Sequence, residues 1–350
     1  MVELVDALDS KSSDGNIMRV RVSPRAHMRI FYDLMIAIFL VGTIVPAGII
    51  LHSTKRRIQS WEYRHKRWSF LFVTLLLFGA TTIFYGSFIE PTFLVIREQT
   101  IDIPGINTPI RIALVADFQV GPYKKAVYMD RIVDRILSLQ PDIVMIAGDQ
   151  VDNANGPTDE TLELAPLARL VDAGIPTYAI HGNHEYGVSM SRKKGPVFLL
   201  GDVSTQVYDA MTPMGITYLV NDVVTTTIHG QDIQIFGGDS YLAGKLAFDA
   251  LEETMTEIPT IALIHNPAAA WLAAKEKIDL ILSGHTHGGQ IRLPFVGPVG
   301  RIAEAIPADW YQGLVEVDTD TQLFVTSGTG ETGARARLFN PPEVVLLKVE

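Results

Sequence analysis

The chain has 350 residues, of which 47% are hydrophobic, a formal net charge of −10 at pH 7, and no cysteine. The negative charge argues against a nucleic-acid backbone as the main partner, because phosphates attract basic surfaces. The lack of cysteine excludes disulfides, zinc–thiolate sites and cysteine nucleophiles, so any metal must be held by His, Asp, Glu, Asn or Gln.

The N-terminal segment, residues 1–27, shows no sustained apolar periodicity. It is rich in acidic residues and serine and then carries three arginines, Arg19, Arg21 and Arg25. We predict that it is either disordered or a mis-annotated upstream extension. On the second interpretation Met28 is the natural start.

Two long apolar runs follow, at Ile30–Leu51 and Ser69–Ile89. Each is about as long as the ~20 residues that a helix needs to cross the hydrocarbon core of a bilayer. Neither shows the polar stripe of a core helix in a soluble protein. A single cleaved signal peptide fits less well, because both runs exceed the length of its apolar region. Residues 28–90 are therefore predicted to form two transmembrane helices, at about 30–51 and 69–89.

The loop between the two runs predicts the orientation of the chain. Ser53–Trp68 contains six basic residues, whereas Glu90–Glu98 contains one. Because cytoplasmic loops carry the excess of Lys and Arg, the loop is expected in the cytoplasm and the domain of residues 91–350 outside it. The prediction is a multi-pass cell-membrane protein with an extracytoplasmic domain. The arginines before Met28 oppose this orientation unless that segment is not expressed.

From Thr108 onward, short apolar strands alternate with amphipathic helices. Strands at Ile110–Ala116, Ile143–Ala147 and Ile175–Ile180 are separated by predicted helices at Ala126–Leu139 and Leu162–Val171. This alternation indicates parallel strands joined by right-handed crossovers. Several later strands are close enough in sequence to pair as hairpins. They are predicted at Ile216–Val220, Val223–Ile228, Ile233–Gly237, Ile261–His265, Leu280–Ser283, Gly313–Val317, Leu323–Thr326 and Glu343–Val349.

Polar side chains stand where several of these strands stop. They are Asp117, Asp149, Asn183, His265, His285 and His287. Because ligands of α/β sheets bind beyond the carboxyl ends of strands, we expect these side chains at one edge. Oxygen and imidazole donors without a thiolate suit Mn²⁺, Fe or Zn²⁺. Taken singly, each residue also fits a helix cap, a turn or a packed core histidine, but those explanations do not predict their recurrence together.

The strings that carry these residues resemble the calcineurin-like metallophosphoesterase superfamily. They are Asp117-Phe118-Gln119, Gly148-Asp149-Gln150-Val151-Asp152, Gly182-Asn183-His184-Glu185, His265-Asn266-Pro267 and Gly284-His285-Thr286-His287-Gly288-Gly289-Gln290. The membrane-associated YaeI/YkuE-type phosphodiesterase branch resembles the chain most, including its tail from Ser327 to Glu343. The match covers about residues 110–349. The resemblance implies an α/β fold in which two mixed β-sheets pack as a sandwich flanked by helices, here preceded by the transmembrane hairpin.

The resemblance also implies that seven side chains hold two divalent metal ions and share one carboxylate. The ligands of the first ion would be Asp117, Gln119, Asp149 and His287. Those of the second would be Asp149, Asn183, His265 and His285. His184 would lie beside the scissile phosphate, where it stabilises charge or protonates the leaving oxygen. We further predict that Asp152 orients this histidine.

One position departs from the family pattern. Most members have a histidine where this chain has Gln119. An amide oxygen is a harder and weaker donor than imidazole, so Mn²⁺ is the expected metal, with Fe, Zn²⁺ or Mg²⁺ as alternatives. The same Asp-x-Gln variation is similar to that of manganese-dependent ADP-ribose/CDP-alcohol diphosphatases.

The predicted function is that of a membrane-anchored dinuclear-metal phosphoesterase, which hydrolyses a phosphodiester or diphosphate bond by metal-activated water. Tethering at a bilayer favours a lipid-linked phosphate ester as substrate. One alternative is a nucleotide-lipid diphosphatase that acts on UDP-2,3-diacylglucosamine, whose substrate would lie on the cytoplasmic side. Another is a catalytically decayed metal-binding scaffold. Basic residues that could meet substrate phosphate or lipid headgroups are Arg192, Lys193, Lys194 and Arg292.

Overall fold

The structure, a computed structural model, describes residues 24–153, 159–191, 194–198, 200–253, 258–300 and 306–350. Most of the predicted N-terminal extension lies outside these described residues, as do two of the candidate phosphate contacts, Arg192 and Lys193.

An antiparallel helical hairpin opens the described chain. It consists of α1 (Pro24–Arg56) and α3 (Lys66–Phe84), with the short helix α2 (Trp61–Arg64) between them. Helix α3 continues through a π-helical turn at Tyr85–Ile89 into a 3-10 turn at Glu90–Thr92. The first predicted apolar run therefore lies inside α1, and the second covers most of α3 and the π-helical turn.

The outer surface of this hairpin is apolar. Two of its segments, Phe31–Arg56 and Lys66–Thr92, are long and apolar enough to cross a membrane. Large side chains such as Ile38, Val41 and Phe78 are 59%, 60% and 71% exposed. Exposed apolar surface of this extent is unfavourable in water and favourable against lipid tails. The hairpin therefore has the surface expected of membrane-spanning helices.

The remainder of the chain is built on two mixed β-sheets. Along the first sheet the described strands are β1 (Val95–Ile101), β16 (Glu343–Val349), β2 (Ile110–Val115), β3 (Ile143–Ile146), β4 (Thr177–Ala179) and β7 (Thr217–Tyr218). Neighbouring strands are parallel except β16 and β2, which are antiparallel. Parallel strands carry their carboxyl ends to the same edge of the sheet.

The second sheet also has six described strands of mixed direction. Its described strands, in spatial order, are β14 (Gly313–Glu316), β15 (Gln322–Val325), β11 (Leu280–Ser283), β10 (Thr260–Leu263), β9 (Gln231–Gly237) and β8 (Asp222–Ile228). The outermost pair at each edge is antiparallel and the central pairs are parallel. The predicted strands are thus present, with ends that differ by a residue or two.

The two sheets pack face to face. Inner-face side chains of β2, such as Ile112 and Leu114, belong to the same buried cluster as Ile261, Leu263 and Leu282 of the second sheet. Alternate residues along each strand point to this shared core, as in sandwiches generally. The predicted α/β architecture of two mixed sheets packed as a sandwich is confirmed.

Helices cover both outer faces of the sandwich. Against the first sheet lie α4 (Ala126–Leu139), α5 (Ala168–Asp172) and α6 (Ser204–Met211), and against the second lie α7 (Asp249–Glu253) and α8 (Ala270–Ala273). Helix α4 buries Met129, Ile132, Val133 and Ile136 completely, which is the spacing of one helical face. It ends at Gln140, in a left-handed conformation, just before Pro141.

Some elements differ from the prediction. The helix predicted at Leu162–Val171 is mostly a 3-10 helix, Asp159–Leu167, which passes into α5. Pro166 lies inside it, and proline removes a backbone donor that a regular α-helix needs. Strand β1 was not predicted because it is an edge strand whose side chains are mostly exposed, so it lacks an apolar alternation. Two short hairpins, β5 (Val188–Ser191) with β6 (Gly195–Phe198) and β12 (Arg292–Leu293) with β13 (Gly297–Pro298), were also missed.

Candidate metal centre

The carboxyl ends of the central strands of both sheets meet at one edge of the sandwich. Asp117 and Asp149 follow β2 and β3, and Asn183 follows β4. His265 follows β10, and the pair His285 and His287 follows β11. The polar residues predicted at strand ends are thus brought together from two sheets rather than from one.

Two groups of donor atoms are close enough to hold cations. The ligand atoms of Asp149, His265 and His285 all lie within 4.8 Å of one another, and so do those of Asp117, Asp149 and His287. Asp149 belongs to both groups and is 1% exposed. A carboxylate common to two groups of this kind is what a pair of neighbouring cations requires.

The two amide side chains contact these groups. Gln119 donates from Nε2 to Asp149 Oδ2 at 2.9 Å, and its Oε1 is buried without a hydrogen-bond partner. Asn183 donates from Nδ2 to the Val188 carbonyl at 2.7 Å, which leaves its Oδ1 2.9 Å from Nδ1 of His285. A buried carbonyl oxygen without a partner is costly, and a cation would satisfy it.

Backbone carbonyls fix the orientation of two histidines. The Nδ1 atom of His265 lies 2.7 Å from the Ala147 carbonyl, and that of His287 lies 3.2 Å from the Gly330 carbonyl. Since a carbonyl only accepts, Nδ1 carries the hydrogen in both rings and Nε2 faces the carboxylates. The Nε2 atom of His265 is 3.3 Å from Asp149 Oδ2 and is buried without an aligned hydrogen bond. Metal-binding histidines have this arrangement.

The electrostatics of the cluster call for positive charge. Burial raises the pKa of Asp117 to about 6, against the opposing attraction of His265. Burial would lower the pKa of His265, but the carboxylates of Asp149 and Asp117 raise it to about 10. Burial likewise disfavours the ionised form of Asp149, yet His265 and His184 hold the pKa of that carboxyl below its usual range. A divalent cation would displace the His265 proton and stabilise both carboxylates, so these residues fit a metal site.

The backbone of the cluster is unusual. Five of the candidate ligands have positive φ angles, between 48° and 69°, namely Asp117, Gln119, Asp149, His285 and His287. Residues other than glycine adopt this region rarely, at a cost of roughly 1–3 kcal/mol each, and such residues concentrate at functional sites. The surrounding fold therefore holds these side chains in place at the expense of backbone strain.

Two glycines allow the strand ends to approach each other. A Cβ on Gly182 would run into the carboxylate of Asp149. A Cβ on Gly148, which has a φ of +90°, would lie 2.7 Å from Nδ1 of His265. Any larger residue at either position would push the β3 and β4 loops apart.

His184 lies against the shared carboxylate. Its backbone N–H donates to Asp149 Oδ1 at 2.9 Å, and its ring Nε2 is 3.8 Å from Asp149 Oδ2. Its Nδ1 lies 3.2 Å from the carbonyl of Asp152 and 3.7 Å from the carboxylate of that residue. Asp152 therefore contacts the ring, and its backbone oxygen is the closer of these two partners.

Glu185 is a residue whose role the sequence did not indicate. It is fully buried, and its carboxylate accepts from the backbone N–H groups of Gln150 at 2.8 Å and Gly182 at 2.7 Å. Burial raises the pKa of Glu185 to about 7. Because it joins the loops after β3 and β4, Glu185 positions Asp149 and Asn183. Its place directly after Asn183 and His184 was the signal that the sequence offered.

Arg337 organises the loop on the other side of the site. It is fully buried, and its Nη2 donates to the carbonyls of Ser327 at 2.8 Å and Gly330 at 2.6 Å. The same Gly330 carbonyl accepts a hydrogen bond from Nδ1 of His287. The guanidinium thus holds the loop that orients a candidate ligand, a role carried by contacts distant in sequence.

Other polar residues near the site lie further from the donor groups. His181 is buried beside the hydroxyl of Tyr218, at 2.8 Å, and burial lowers the pKa of His181 to about 4. Arg292 donates to the Gly288 carbonyl at 3.0 Å and so braces the turn after His287. Lys194 is exposed on the surface.

The end of the helical hairpin is bonded to the same region. Glu90 is 2% exposed, and its Oε1 accepts from the backbone N–H of Asn340 at 2.5 Å. The side chain of Asn340 in turn donates to the His287 carbonyl at 2.7 Å. The carbonyl of Gly86 accepts from the backbone N–H of Arg337 at 2.8 Å. Two hydrogen-bonded connections therefore run from the hairpin to the residues around His287.

Comparison with known families matches residues 110–289 to the calcineurin-like phosphoesterase family. The matched segment contains every candidate ligand described above, from Asp117 to His287. The family implies divalent metal ions, and the two donor groups around Asp149 are candidate sites for them.

Individual relatives show the same similarity. The chain is 27% identical over 272 residues to the uncharacterized metallophosphoesterase YkuE of Bacillus subtilis, an alignment that covers 76% of this chain and 89% of that protein. It is 27% identical over 272 residues to phosphodiesterase YaeI of Escherichia coli, covering 76% and 92%. It is 32% identical over 260 residues to a bovine transmembrane protein with metallophosphoesterase domain, covering 70% of this chain and 53% of that protein.

Proposed function

Because the chain belongs to the calcineurin-like phosphoesterase family and is a metal-dependent phosphoric ester hydrolase, we propose that it cleaves a phosphodiester or diphosphate bond with two divalent ions at a membrane surface. The observation that carries the dinuclear part of the proposal is that Asp149 belongs to both donor groups. A shared carboxylate keeps two cations close enough to act on one phosphoryl group and offsets their mutual repulsion.

We assign the ligands as the donor chemistry suggests. The first ion would be held by Asp117, Gln119, Asp149 and His287. The second would be held by Asp149, Asn183, His265 and His285. When bound, the ions would supply Lewis acidity, which lowers the pKa of water towards neutrality and offsets the charge on a phosphoryl group.

The protein's own residues would then orient the reaction. The Nδ1 atom of His184 faces the Asp152 carbonyl, which keeps a proton on that nitrogen and directs Nε2 towards the shared carboxylate of Asp149 and the hydroxyl of Thr332. In its protonated form Nε2 would donate to a phosphate oxygen or to the leaving oxygen, as a histidine near neutral pH is suited to do. Asp152 would act only through this contact, as a positioning residue.

Membrane anchoring is the second part of the proposal. It is supported by the two apolar spans with exposed side chains and by relatives that are named transmembrane proteins. An enzyme tethered in this way acts where lipid-linked phosphate esters lie, so we propose a substrate of that class. The excess of basic residues in Ser53–Trp68 supports an extracytoplasmic catalytic domain.

A reporter fusion tests this orientation. An alkaline phosphatase fused after Glu350 should be active and a fluorescent protein at the same position dark, because the basic loop is retained in the cytoplasm. Reporters inserted after Ile58, within the loop, serve as the control and should give the reverse pattern. A fluorescent C-terminal fusion would contradict the extracytoplasmic orientation and favour a nucleotide-lipid diphosphatase on the cytoplasmic side.

The metal requirement is tested on Gln119. Metal-stripped wild-type protein should hydrolyse bis-p-nitrophenyl phosphate at least about tenfold faster with Mn²⁺ than with Zn²⁺, since an amide oxygen suits the harder ion. The variant Gln119→His should lower the ratio of the rate with Mn²⁺ to the rate with Zn²⁺, because imidazole is the better zinc ligand. Gln99→His, which changes a half-buried glutamine of β1 away from the donor groups, is the matched control. Full activity of the wild type with Zn²⁺ alone would refute the predicted preference.

A further inference from the structure

A cleft of about 260 Å³ lies between the end of the helical hairpin and the first turns of α4. It is separate from the candidate metal ligands, none of which lines it. We call it the hairpin cleft and define it by Pro91, Lys124, Arg131, Glu331 and Arg335. Its walls therefore come from the hairpin, from α4 and from the loop after β15.

The hairpin cleft is cationic. Its charged lining consists of Lys124, Lys125, Arg131 and Arg335 against the single carboxylate of Glu331, among the residues that the structure describes. Lys124 lies 3.2 Å from that carboxylate, and both side chains are buried, so this pair is largely neutral. The other three basic side chains leave an excess of positive charge at the cleft, reduced in part by Glu163, which is 3.7 Å from Lys125. An acidic chain that concentrates cations in one concave place favours an anionic ligand there.

The hydrogen bonds of the cleft residues place the cleft at the end of the second apolar span. Lys124 donates to the Pro91 carbonyl at 2.7 Å, and Arg131 donates to the Thr92 carbonyl at 2.8 Å. Both carbonyls belong to the last residues of the second apolar span. The aromatic side chain of Phe93, next along the chain, is 51% exposed. Because the cleft is bonded to the end of a segment long enough to cross the hydrocarbon core, it would lie at the headgroup level of the membrane.

Arg335 is already positioned for recognition of a planar or tetrahedral anion. Its guanidinium lies 5.1 Å from the ring centroid of Phe88 and 4.9 Å from that of Tyr123. Stacking between two rings restricts the arginine and reduces the conformational entropy that it loses on binding. Phe88 belongs to the hairpin and Tyr123 to the domain, so Arg335 lies at their junction.

We propose that the hairpin cleft binds the phosphate headgroup of an anionic membrane lipid. The proposal rests on membrane anchoring, as set out above, and not on the catalytic activity. Its ligand differs from the substrate in place: the headgroup contacts Arg131, Lys125 and Arg335, whereas substrate lies at the ligands around Asp149. Basic pockets beside membrane helices are suited to this class of lipid.

The cleft is nevertheless next to the metal centre. Glu331 lines the cleft, and the adjacent Thr332 has its hydroxyl 3.5 Å from Nε2 of His184. A bound lipid headgroup would therefore hold the domain on the bilayer with His184 close to the membrane surface. This placement suits access to a lipid-linked phosphate ester.

The test uses full-length, detergent-solubilised, metal-stripped protein, so that no turnover occurs during the measurement. Titration calorimetry would compare dihexanoyl phosphatidylglycerol, dihexanoyl phosphatidylcholine and glycerol 1-phosphate, each below the concentration at which the lipids form micelles. Wild type should bind the anionic lipid. The triple variant Lys125→Gln, Arg131→Gln, Arg335→Gln should bind it at least about tenfold more weakly, because each basic side chain near a headgroup adds attraction.

Matched controls separate this site from general charge. The triple variant Arg135→Gln, Lys275→Gln, Lys277→Gln removes three exposed cations elsewhere and should bind like wild type. After metal is restored, the cleft variant should keep its turnover of bis-p-nitrophenyl phosphate within about twofold, since no metal ligand is changed. The single variant Arg335→Gln, which loses no hydrogen bond to the hairpin, covers the case in which the triple variant fails to fold.

Three outcomes would overturn the proposal. In the first, wild type and the cleft variants bind the anionic lipid equally tightly. In the second, wild type binds the zwitterionic lipid as tightly as the anionic lipid. In the third, wild type binds glycerol 1-phosphate as tightly as the anionic lipid. The last would indicate a site for soluble phosphate. Because binding is measured without metal, a failure here is distinct from a failure of the proposed hydrolase activity.

Discussion

Replacing Asp149 with asparagine should lower kcat for bis-p-nitrophenyl phosphate by at least about 1,000-fold, the upper end of what removing one preorganised stabilising group costs. Asp149 is the residue common to both donor groups, so its loss would affect both of the proposed ions at once. Asparagine keeps the shape but not the charge, and the nearby His265 and His184 hold the aspartate ionised. The neutral amide would leave two cations repelling each other without a bridge.

Two measurements check this prediction. Elemental analysis of purified Asp149→Asn should show at least one ion fewer per chain than wild type. Asp209→Asn, which removes an exposed aspartate on α6, is the control for loss of charge and should retain both metal and activity. If Asp149→Asn and wild type showed the same background rate with Mn²⁺, the chain would be a metal-binding scaffold without catalysis.

The second large effect is expected at His184. The variant His184→Asn should lower kcat by about 100- to 10,000-fold, the usual contribution of a positioned general acid or base. Its metal content should stay unchanged, because the ring is assigned to substrate and not to an ion. Its backbone N–H would still donate to Asp149, so the loop geometry should persist.

The choice of leaving group separates the two roles proposed for His184. If the ring protonates the leaving oxygen, the variant should be most impaired on an alkyl ester and least impaired on a p-nitrophenyl ester, whose leaving group needs no proton. Equal impairment on both would indicate charge stabilisation instead. His229→Asn changes an exposed histidine 3.1 Å from Asp142 and is the control. Unchanged kcat in His184→Asn on both esters would remove this residue from the mechanism.

Much of the candidate metal centre could be predicted, because its residues directly follow the ends of apolar strands. A strand such as Ile143–Ile146 is apolar on both faces, so the first polar side chain after it marks the edge of the sheet. Asp149 and His265 stand out for that reason. The α/β fold followed from the same pattern together with the family resemblance, whereas the exposed edge strand β1 carries no such pattern.

The parts that could not be predicted depend on contacts between distant segments. The carbonyl of Asp152, rather than its carboxylate, is the closer contact of His184, and backbone atoms leave no trace in side-chain patterns. In the sequence Arg337 is one charged residue among many. Its role follows only from its burial against the carbonyls of the loop after β15. The hairpin cleft likewise requires that Arg131 and Arg335 line the same cavity, although they are far apart in sequence.

The hydrogen bond between Glu90 and Asn340 has a practical consequence for dissecting this protein. A soluble fragment that begins at residue 91 would lack Glu90, whose carboxylate accepts a hydrogen bond from the backbone N–H of Asn340. It would also lack Gly86, whose carbonyl accepts a hydrogen bond from the backbone N–H of Arg337. The helical hairpin thus also supports the loops around the candidate metal centre, and a fragment that keeps both hydrogen bonds must begin before Gly86.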